Sequence, residues 1–258
     1  AWEDVSGGIT FKSEGTNFSG SLLVGHSTTG TLSTASNNTG VGIDAMDAIT
    51  SGDGNTVIGN RAGTDIADGG YNTLVGLVAG FDISSGSSNV GMGYYALAQL
   101  TTGEDNVGLG NNTNYQNQTG SNNTAVGRDA LKGTTTANCS NNTAVGFESF
   151  DAITTGGGNI GLGYKAGDNI TTGSGNVVIG NADVSSATGS DQLSISSGDD
   201  GSVVWITGDS SANVTVTGDL TITGDDLFMN TNTSGAALIG DGTNFNPVVI
   251  SGDISIGT

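Results

Sequence analysis

Few residues of this chain could carry catalytic chemistry. His26 is the only histidine and Cys139 the only cysteine. Nucleophilic catalysis of the Ser-His or Cys-His type needs a nucleophile, a base and an orienting group held together, so any such arrangement would depend on His26. We expect His26, which follows Gly25, to be a solvated corner residue. Cys139 has no partner within the chain, so we expect a free thiol, with a bond between chains as the alternative if the loops converge on an axis.

The carboxylates are numerous but show no catalytic or metal-binding spacing. Glycoside cleavage needs two carboxyl groups about 5 to 9.5 Å apart across a groove, and 25 acidic residues create chance pairs throughout. Asp199 and Asp200 are typical of an acidic turn, and the segment "GGGNIGLG" at 156–163 has Asn where a calcium-binding coil needs Asp. Glycosylation sequons such as those at Asn138 and Asn169 are expected by chance. The sequence therefore predicts no catalytic, cofactor-binding or metal site, and no enzyme.

The charge balance limits the partners. Five Lys and Arg residues against 25 Asp and Glu give a net charge of −20, which disfavours binding to nucleic acid and to anionic membrane surfaces. The sequence contains no stretch of 18 apolar residues, so we expect no segment to span a bilayer. The start "AWEDVSGG" lacks a signal-peptide profile. The acidity indicates solubility, with binding of divalent cations in a salty medium as the alternative. The absence of an initiator methionine suggests a processed chain or a fragment.

A 17-residue repeat dominates the sequence. An anchor asparagine recurs at every seventeenth position, with one longer step of nineteen, and a glycine stands at the fourth position after each anchor. A Val, Ile, Leu or Met always precedes that glycine, and a degenerate unit at 21–25 opens the array. These asparagines and glycines form the predicted structural ladder. Its members are Asn38, Asn55, Asn72, Asn89, Asn106, Asn123, Asn142, Asn159, Asn176, Gly42, Gly59, Gly76, Gly93, Gly110, Gly127, Gly146, Gly163 and Gly180.

The repeat is the right length for one coil of a β-solenoid. Helical solenoids need repeats of about 34 residues. In "NTAVG" the strand period of two places the first and third residues after the anchor on one face and the variable second residue on the other. Glycine permits a tight corner, and stacked asparagines can bond along the column. The second half of the unit, with small or apolar residues seven, eight and eleven after the anchor, fits either a short strand or one helical turn.

The predicted fold is all-β: a β-solenoid, or β-roll, of about ten 17-residue coils, in a parallel homotrimer and followed by a β-rich fibre segment. Burial of about five apolar side chains per coil offsets only part of the ordering entropy, which favours association. After the array, "NVTVTGDLTITGDDLF" alternates at strand period, and "EGTNF" at 14–18 recurs as "DGTNF" at 241–245. The predicted divisions are a β-rich lead-in at 1–20, the β-roll at 21–188, a β-rich neck or fibre segment at 189–230, and the start of a small β module at 231–258.

The repeat "NTAVGxxAL" with its TG-type turns resembles the repeats of phage tail-fibre and related virion proteins over residues 21–184. It is more distantly similar to the head repeats of trimeric autotransporter adhesins, which have a different period. The segment that begins "ADVSSATGSDQL" resembles the fibre segment after such arrays in tail-fibre-like proteins of marine phages. The resemblance implies a homotrimeric β-roll on the virion surface or outside the cell, with other virion or fibre proteins and cell-surface glycans as partners.

Three functions remain open at this point. The first is a structural shaft or adhesive fibre of a virion that projects receptor-binding parts toward a host. The second is a bacterial trimeric surface adhesin or a subunit of an extracellular filament. The third, an ice-binding solenoid, needs a flat face of paired threonines, and the aliphatic residue three after each anchor argues against it.

Overall fold

The chain is an all-β protein that contains a β-solenoid of about ten coils. The computed structural model describes residues 2–5, 9–12, 17–25, 32–134, 137–197, 201–218, 220, 236–240 and 245–249. The chain forms two compact units, Ala1–Gly218 and Asp219–Thr258. His26, Asp199 and Asp200, and most of both "GTNF" segments, lie outside the described residues.

Fifteen strands form one sheet in the first unit, in sequence order, and two strands pair in the second. Strands β3 to β13 are parallel, whereas β1–β2, β2–β3, β13–β14, β14–β15 and β16–β17 are antiparallel pairs. The strands are β1 (Trp2–Val5), β2 (Ile9–Lys12), β3 (Leu22–Val24), β4 (Thr39–Val41), β5 (Thr56–Ile58), β6 (Thr73–Val75), β7 (Val90–Met92), β8 (Val107–Leu109), β9 (Thr124–Val126), β10 (Thr143–Val145), β11 (Ile160–Leu162), β12 (Val177–Ile179), β13 (Leu193–Ser197), β14 (Val203–Gly208), β15 (Val214–Val216), β16 (Ala236–Gly240) and β17 (Phe245–Val249).

Each coil stacks on the next in a register of one repeat. Thr56, for example, lies opposite Thr39 on one side and Thr73 on the other, each one repeat away. The longer step keeps this register, since Thr124 lies opposite Thr143. The backbone N–H of Gln116 donates to the carbonyl of Lys132, sixteen residues later, as the equivalent bonds of the preceding coils do. The backbone N–H of Gln118 donates to the carbonyl of Ala137, nineteen residues later, where the preceding coils span seventeen. The two additional residues are therefore accommodated between Lys132 and Ala137.

The second half of the coil forms neither the strand nor the helical turn that the sequence left open. Its residues six and eight after the anchor have left-handed backbone, as in Tyr95 (φ 57°) and Leu97 (φ 56°). This conformation costs a non-glycine residue roughly 1–2 kcal/mol. Hydrogen bonds between coils offset the cost, because the Tyr95 N–H donates to Leu77 O (3.1 Å) and the Leu97 N–H donates to Thr113 O (2.9 Å) in the coil on the other side.

The strands bury the position whose side chain varies most in size, from Gly to Leu. In each of the short strands from β3 to β12 the middle residue is buried and its two neighbours are half-buried or exposed. In most coils the size of this middle residue is complementary to the size of the residue eight positions after the anchor, so that a large side chain at one position accompanies a small one at the other. Leu74 is paired in this way with Gly80, and Gly91 with Leu97. A Cβ on Gly80 would lie 2.6 Å from Leu74 Cδ1, so the two positions share one volume.

This shared volume predicts a strong coupling between Leu74 and Gly80. We expect Leu74→Gly to lower the free energy of unfolding by about 3 kcal/mol through a cavity, and Gly80→Leu to lower it by about 1–3 kcal/mol through overpacking. The double variant recreates the combination of Gly91 with Leu97, so it should recover at least half of the summed loss. Urea denaturation of the four proteins of this double-mutant cycle measures the coupling; additive effects would contradict a shared volume.

A polar layer divides the core. One apolar cluster runs from Phe18 to Leu100 and a second from Ala125 to Val184. The coil between them places Thr113, Asn114 and Asn117 in the interior, all fully buried. Asn117 donates to Asn114 Oδ1 (3.0 Å) and to the carbonyl of Cys139 (2.9 Å). The layer keeps most of its polar groups bonded, as buried polar groups require.

Candidate functional site: the buried ladder and the outer sheet face

The nine anchor asparagines lie in one fully buried column. In its middle, Asn106 donates from its backbone N–H and from Nδ2 to Asn89 Oδ1, at 3.0 and 3.1 Å. Its Nδ2 also donates to the carbonyl of Gly120 (2.9 Å). Asn106 Oδ1 accepts in turn from the backbone N–H (3.1 Å) and Nδ2 (2.9 Å) of Asn123. Each amide therefore joins two coils and fixes the register between them.

The column ends in residues of different types. At its start, Ser21 Oγ accepts the hydrogen bond of the Asn38 N–H at 2.8 Å. At its end, the backbone N–H and Nε2 of Gln192 donate to Asn176 Oδ1, at 2.9 and 3.2 Å. The step from Asn176 to Gln192 is one position shorter than the repeat, so the repeat pattern alone does not reveal this last member.

The glycines four positions after the anchors form the corner at the end of each short strand. From Gly42 to Gly163 their φ angles lie between 120° and 143°, a region that disfavours side chains. A Cβ on Gly76 would clash with the carbonyl oxygen of Gly93 in the next coil. Close stacking of the backbones therefore excludes any side chain at this corner.

Two columns of hydroxyl groups were not identified from the sequence. Five positions before the anchors, side chains such as Thr101 Oγ1 donate to the carbonyl one coil later, here Gln118 at 2.8 Å. Two positions before the anchors, hydroxyls such as Ser174 Oγ accept from the preceding coil, here the Gly157 N–H at 3.0 Å. The recurrence of Ser and Thr at these positions is the sequence signal that could have revealed both columns.

The outer sheet face is a mixture of aliphatic residues and threonine. It consists of the residues one and three after each anchor, which point away from the core. None of these positions is charged. Among the described residues from 22 to 179, 13 large apolar side chains are exposed, and all but Tyr71 lie one, three or five positions after an anchor or after Ser21. They are Leu22, Val41, Ile43, Ile58, Leu77, Met92, Tyr94, Val145, Ile160, Leu162, Tyr164 and Ile179.

Carboxylates converge at the last coils of the solenoid. Asp168 and Asp183 line a cavity of about 570 Å³ together with Tyr164, Lys165 and Gly201, among others. Partial burial, a hydrogen bond with the Asp183 side chain and the negative charge of Asp183 raise the pKa of Asp168 to about 6. Lys165 Nζ lies 3.9 Å from Asp168 and opposes this shift.

This raised pKa predicts a pH-dependent effect of Asp168→Asn. The folded chain binds the Asp168 proton more tightly than the unfolded chain, so the stabilisation is present below about pH 4 and is lost as the pH rises through about 6. We expect Asp168→Asn to raise the Tm at pH 7.5 but not at pH 4, as measured by circular dichroism. Hydrogen bonds from Asn213 and Ser211 lower the pKa of Asp209, so the control Asp209→Asn should show no gain at pH 7.5. A gain in Tm that is equal at both pH values would contradict the assignment.

Cys139 is a free, fully buried cysteine in the second core cluster. Its backbone takes the place of the glycine that stands three positions before seven of the other eight anchors, and its carbonyl accepts from Asn123 Nδ2 at 2.9 Å. Because the thiol is enclosed within one chain, the bond between chains that the sequence left open does not form in this fold.

Burial raises the pKa of the Cys139 thiol to about 12, and the thiolate is the reactive form. We expect native protein to react with a disulfide-exchange reagent at pH 8 only as fast as it unfolds, and unfolded protein to react at once. Exposed Thr102 offers the control: Thr102→Cys should add one rapidly reacting thiol. Equal rates for the native Cys139 and the added thiol would contradict the burial of Cys139.

The remaining candidates have structural contacts or lie outside the described residues, as His26, Asp199 and Asp200 do. The side-chain oxygen of Asn138 accepts from Thr119 Oγ1 (3.0 Å), and Asn169 Nδ2 donates to the carbonyl of Val184 (2.9 Å). Within the described part of the chain, no cluster of three or more His, Cys, Asp or Glu side chains could hold a metal ion. The same residues include no helix long and apolar enough to cross a bilayer.

Comparisons of the chain with protein-family models, with curated proteins and with solved structures give no match.

Proposed function

We propose that this chain is a structural shaft or adhesive fibre protein of a virion, in a tail or capsid fibre. It assembles as a homotrimer, joins other virion or fibre proteins, and holds receptor-binding parts toward host surface glycans. The observation that carries the proposal is the unbroken register of the solenoid, in which a buried amide column joins Ser21 to Gln192. The resemblance of the repeats to those of tail fibres supports the same function.

The physical argument for a shaft is stiffness. Every coil of the array is bonded to its neighbours by the strand hydrogen bonds and the asparagine column, and several coils are also joined by hydroxyl side chains such as those of Thr101 and Ser174. Ten coils at about 4.8 Å each give a rod of about 48 Å. A rod of this kind holds what it carries at a fixed distance from its base.

Labelling of intact particles tests the proposal. Antibodies against the chain, coupled to gold, should label slender projections on virions in negatively stained preparations. Label on bacterial envelopes, with none on particles, would support the bacterial surface adhesin instead. Label on neither would overturn both functions.

A further inference from the structure

We propose that the outer apolar surface of the solenoid is the contact between copies of this chain, with their axes parallel and the glycine corner directed toward the symmetry axis. The outer apolar surface consists of the three columns of residues one, three and five after each anchor. The inference rests on the homotrimer in the proposed function and specifies the surface that forms it.

The distribution of polar groups singles out this surface. In the column three after the anchors every residue is Val, Ile, Leu or Met, and the column one after them holds only Leu, Thr, Val and Ile. Arg128 is the one charged side chain among the described residues of the three columns, and it is paired with Asp129 (Nε to Oδ2, 2.9 Å). In a chain with a net charge of −20, an uncharged surface of this length lets identical copies approach without bringing their carboxylates together.

One further column of the coil exterior is polar. Four positions before the anchors the exposed column contains only Ser, Thr, Asp and Asn, for example Ser85, Thr102, Thr155 and Thr172. The coil thus has one apolar side and at least one side made of polar groups. Only the apolar side gains from being covered.

The apolar column extends beyond the solenoid. Ile179 lies opposite Ile195, which lies opposite Ile206, which lies opposite Val216. Residues directly opposite one another share a face of a sheet. The column three after the anchors therefore continues across β13, β14 and β15.

The size of the surface fits association. Thirteen strands at about 4.8 Å and a width of about 13 Å, four residues of strand, give about 800 Å² per chain. A closed ring divides this area between two neighbours, at about 400 Å² for each contact. The total that each chain buries in the ring then equals the roughly 800 Å² that one partner buries in a stable complex.

The arrangement on both sides of a corner favours a closed ring over a two-fold pair. The columns one and three after the anchor lie before the glycine corner, and the column five after it, with Ile43, Leu77, Tyr94 and Tyr164, lies beyond it. In a ring each chain contacts two neighbours through two different surfaces, whereas a two-fold dimer uses the same patch twice. The flank before the corner is uncharged, whereas the flank beyond it mixes these apolar side chains with Asn60, Asn111, Asn181 and Arg128, so the two flanks provide two different surfaces.

Charge substitutions test the assignment. Met92→Glu combined with Leu162→Glu places two carboxylates per chain on the surface, and Thr102→Glu combined with Thr172→Glu places the same charges on the polar column. By light scattering after gel filtration, we expect the unmodified chain and the polar-column control at three times the monomer mass of 25.4 kDa. The Met92 and Leu162 variant should be a monomer with an unchanged β-type circular dichroism spectrum.

Cross-linking provides a second measurement if the charged variant does not fold. Val145→Cys adds a partly exposed thiol on the apolar surface, and Thr102→Cys adds one on the polar column. Oxidation should join chains carrying Val145→Cys into covalent pairs, because a residue next to the corner glycine lies beside the symmetry axis, where equal positions of parallel chains meet, and should leave Thr102→Cys chains single.

An unmodified chain that has the monomer mass at every concentration overturns this inference, as does a Val145→Cys chain that does not cross-link. Dissociation of the polar-column control alone would also overturn it. These outcomes are separate from the labelling of particles, so the contact surface and the virion function can fail independently.

Discussion

Asn106→Asp is expected to remove about 4 kcal/mol or more of stability at pH 7, although the two side chains have the same shape. The substitution replaces Nδ2, which donates to Asn89 Oδ1 and to the Gly120 carbonyl, by an oxygen that can only accept. Two oxygens then face this new oxygen at hydrogen-bond distance, and a carboxylate is enclosed where the side chain is fully buried. Burial of a charge without a compensating partner costs several kcal/mol.

The loss should be pH-dependent and site-specific. Burial raises the pKa of the introduced carboxyl group, so the deficit should shrink as the pH falls toward 4, where the protonated group can donate one bond. The control Asn122→Asp makes the same chemical change at an exposed position one residue before the next anchor, outside the outer apolar surface. It should change the free energy of unfolding by no more than about 0.5 kcal/mol, as surface substitutions usually do. Urea denaturation at pH 7 and pH 4 measures both. Equal effects of the two substitutions would show that the column does not carry the register.

Gly127→Val is expected to cost about 5 kcal/mol or more and to disrupt the coils on both sides. At a φ of 120°, a Cβ on Gly127 would lie 2.6 Å from the carbonyl oxygen and 2.7 Å from the carbonyl carbon of Gly146. Both atoms belong to the backbone, so no rotamer relieves the clash, and the stability of stacked repeats depends on each interface with a neighbour. Hydrogen exchange should show the loss of protection centred on the strands Thr124–Val126 and Thr143–Val145.

Gly157→Ser provides the control for the corner substitution. Gly157 lies two positions before an anchor, where neighbouring coils carry Ser140 and Ser174. Its added Cβ would lie 3.0 Å from the Ser140 carbonyl, a contact that a small shift relieves. We expect Gly157→Ser to stay within about 1 kcal/mol of the unmodified chain. Full thermal stability of Gly127→Val would show that the corner is not a backbone contact.

The proposed assembly connects these predictions to function. A shaft keeps its length and stiffness only if its coils stay in register. Asn106→Asp and Gly127→Val both disturb that register within a single chain. The charged variant of Met92 and Leu162 acts on the outer apolar surface alone, so it should separate chains without unfolding them. Loss of assembly with an intact solenoid is therefore distinguishable from loss of the solenoid.

The fold class was predictable because repetition in the sequence becomes repetition in space. A residue that recurs at every seventeenth position can satisfy the same hydrogen bonds at every step only if equal positions stack, and the structure confirms an all-β solenoid of about ten 17-residue coils. The longer step between Asn123 and Asn142 did not obscure this pattern, since the additional residues fall between Lys132 and Ala137 and the strands on both sides stay paired.

The sequence by itself determined the period, the register and the class of fold, because these follow from the spacing of Asn and Gly alone. Only the tertiary structure decided which side of each strand faces the core, because alternation in the sequence defines two faces equally well. The choice depends on which side chains of the second half of the coil fill the interior, as Leu97 does beside Gly91. It also decided the path of the second half of the coil. Left-handed backbone at Tyr95 and Leu97 is unfavourable locally and is stabilised only by hydrogen bonds to the coils above and below, which exist only once the stack has formed.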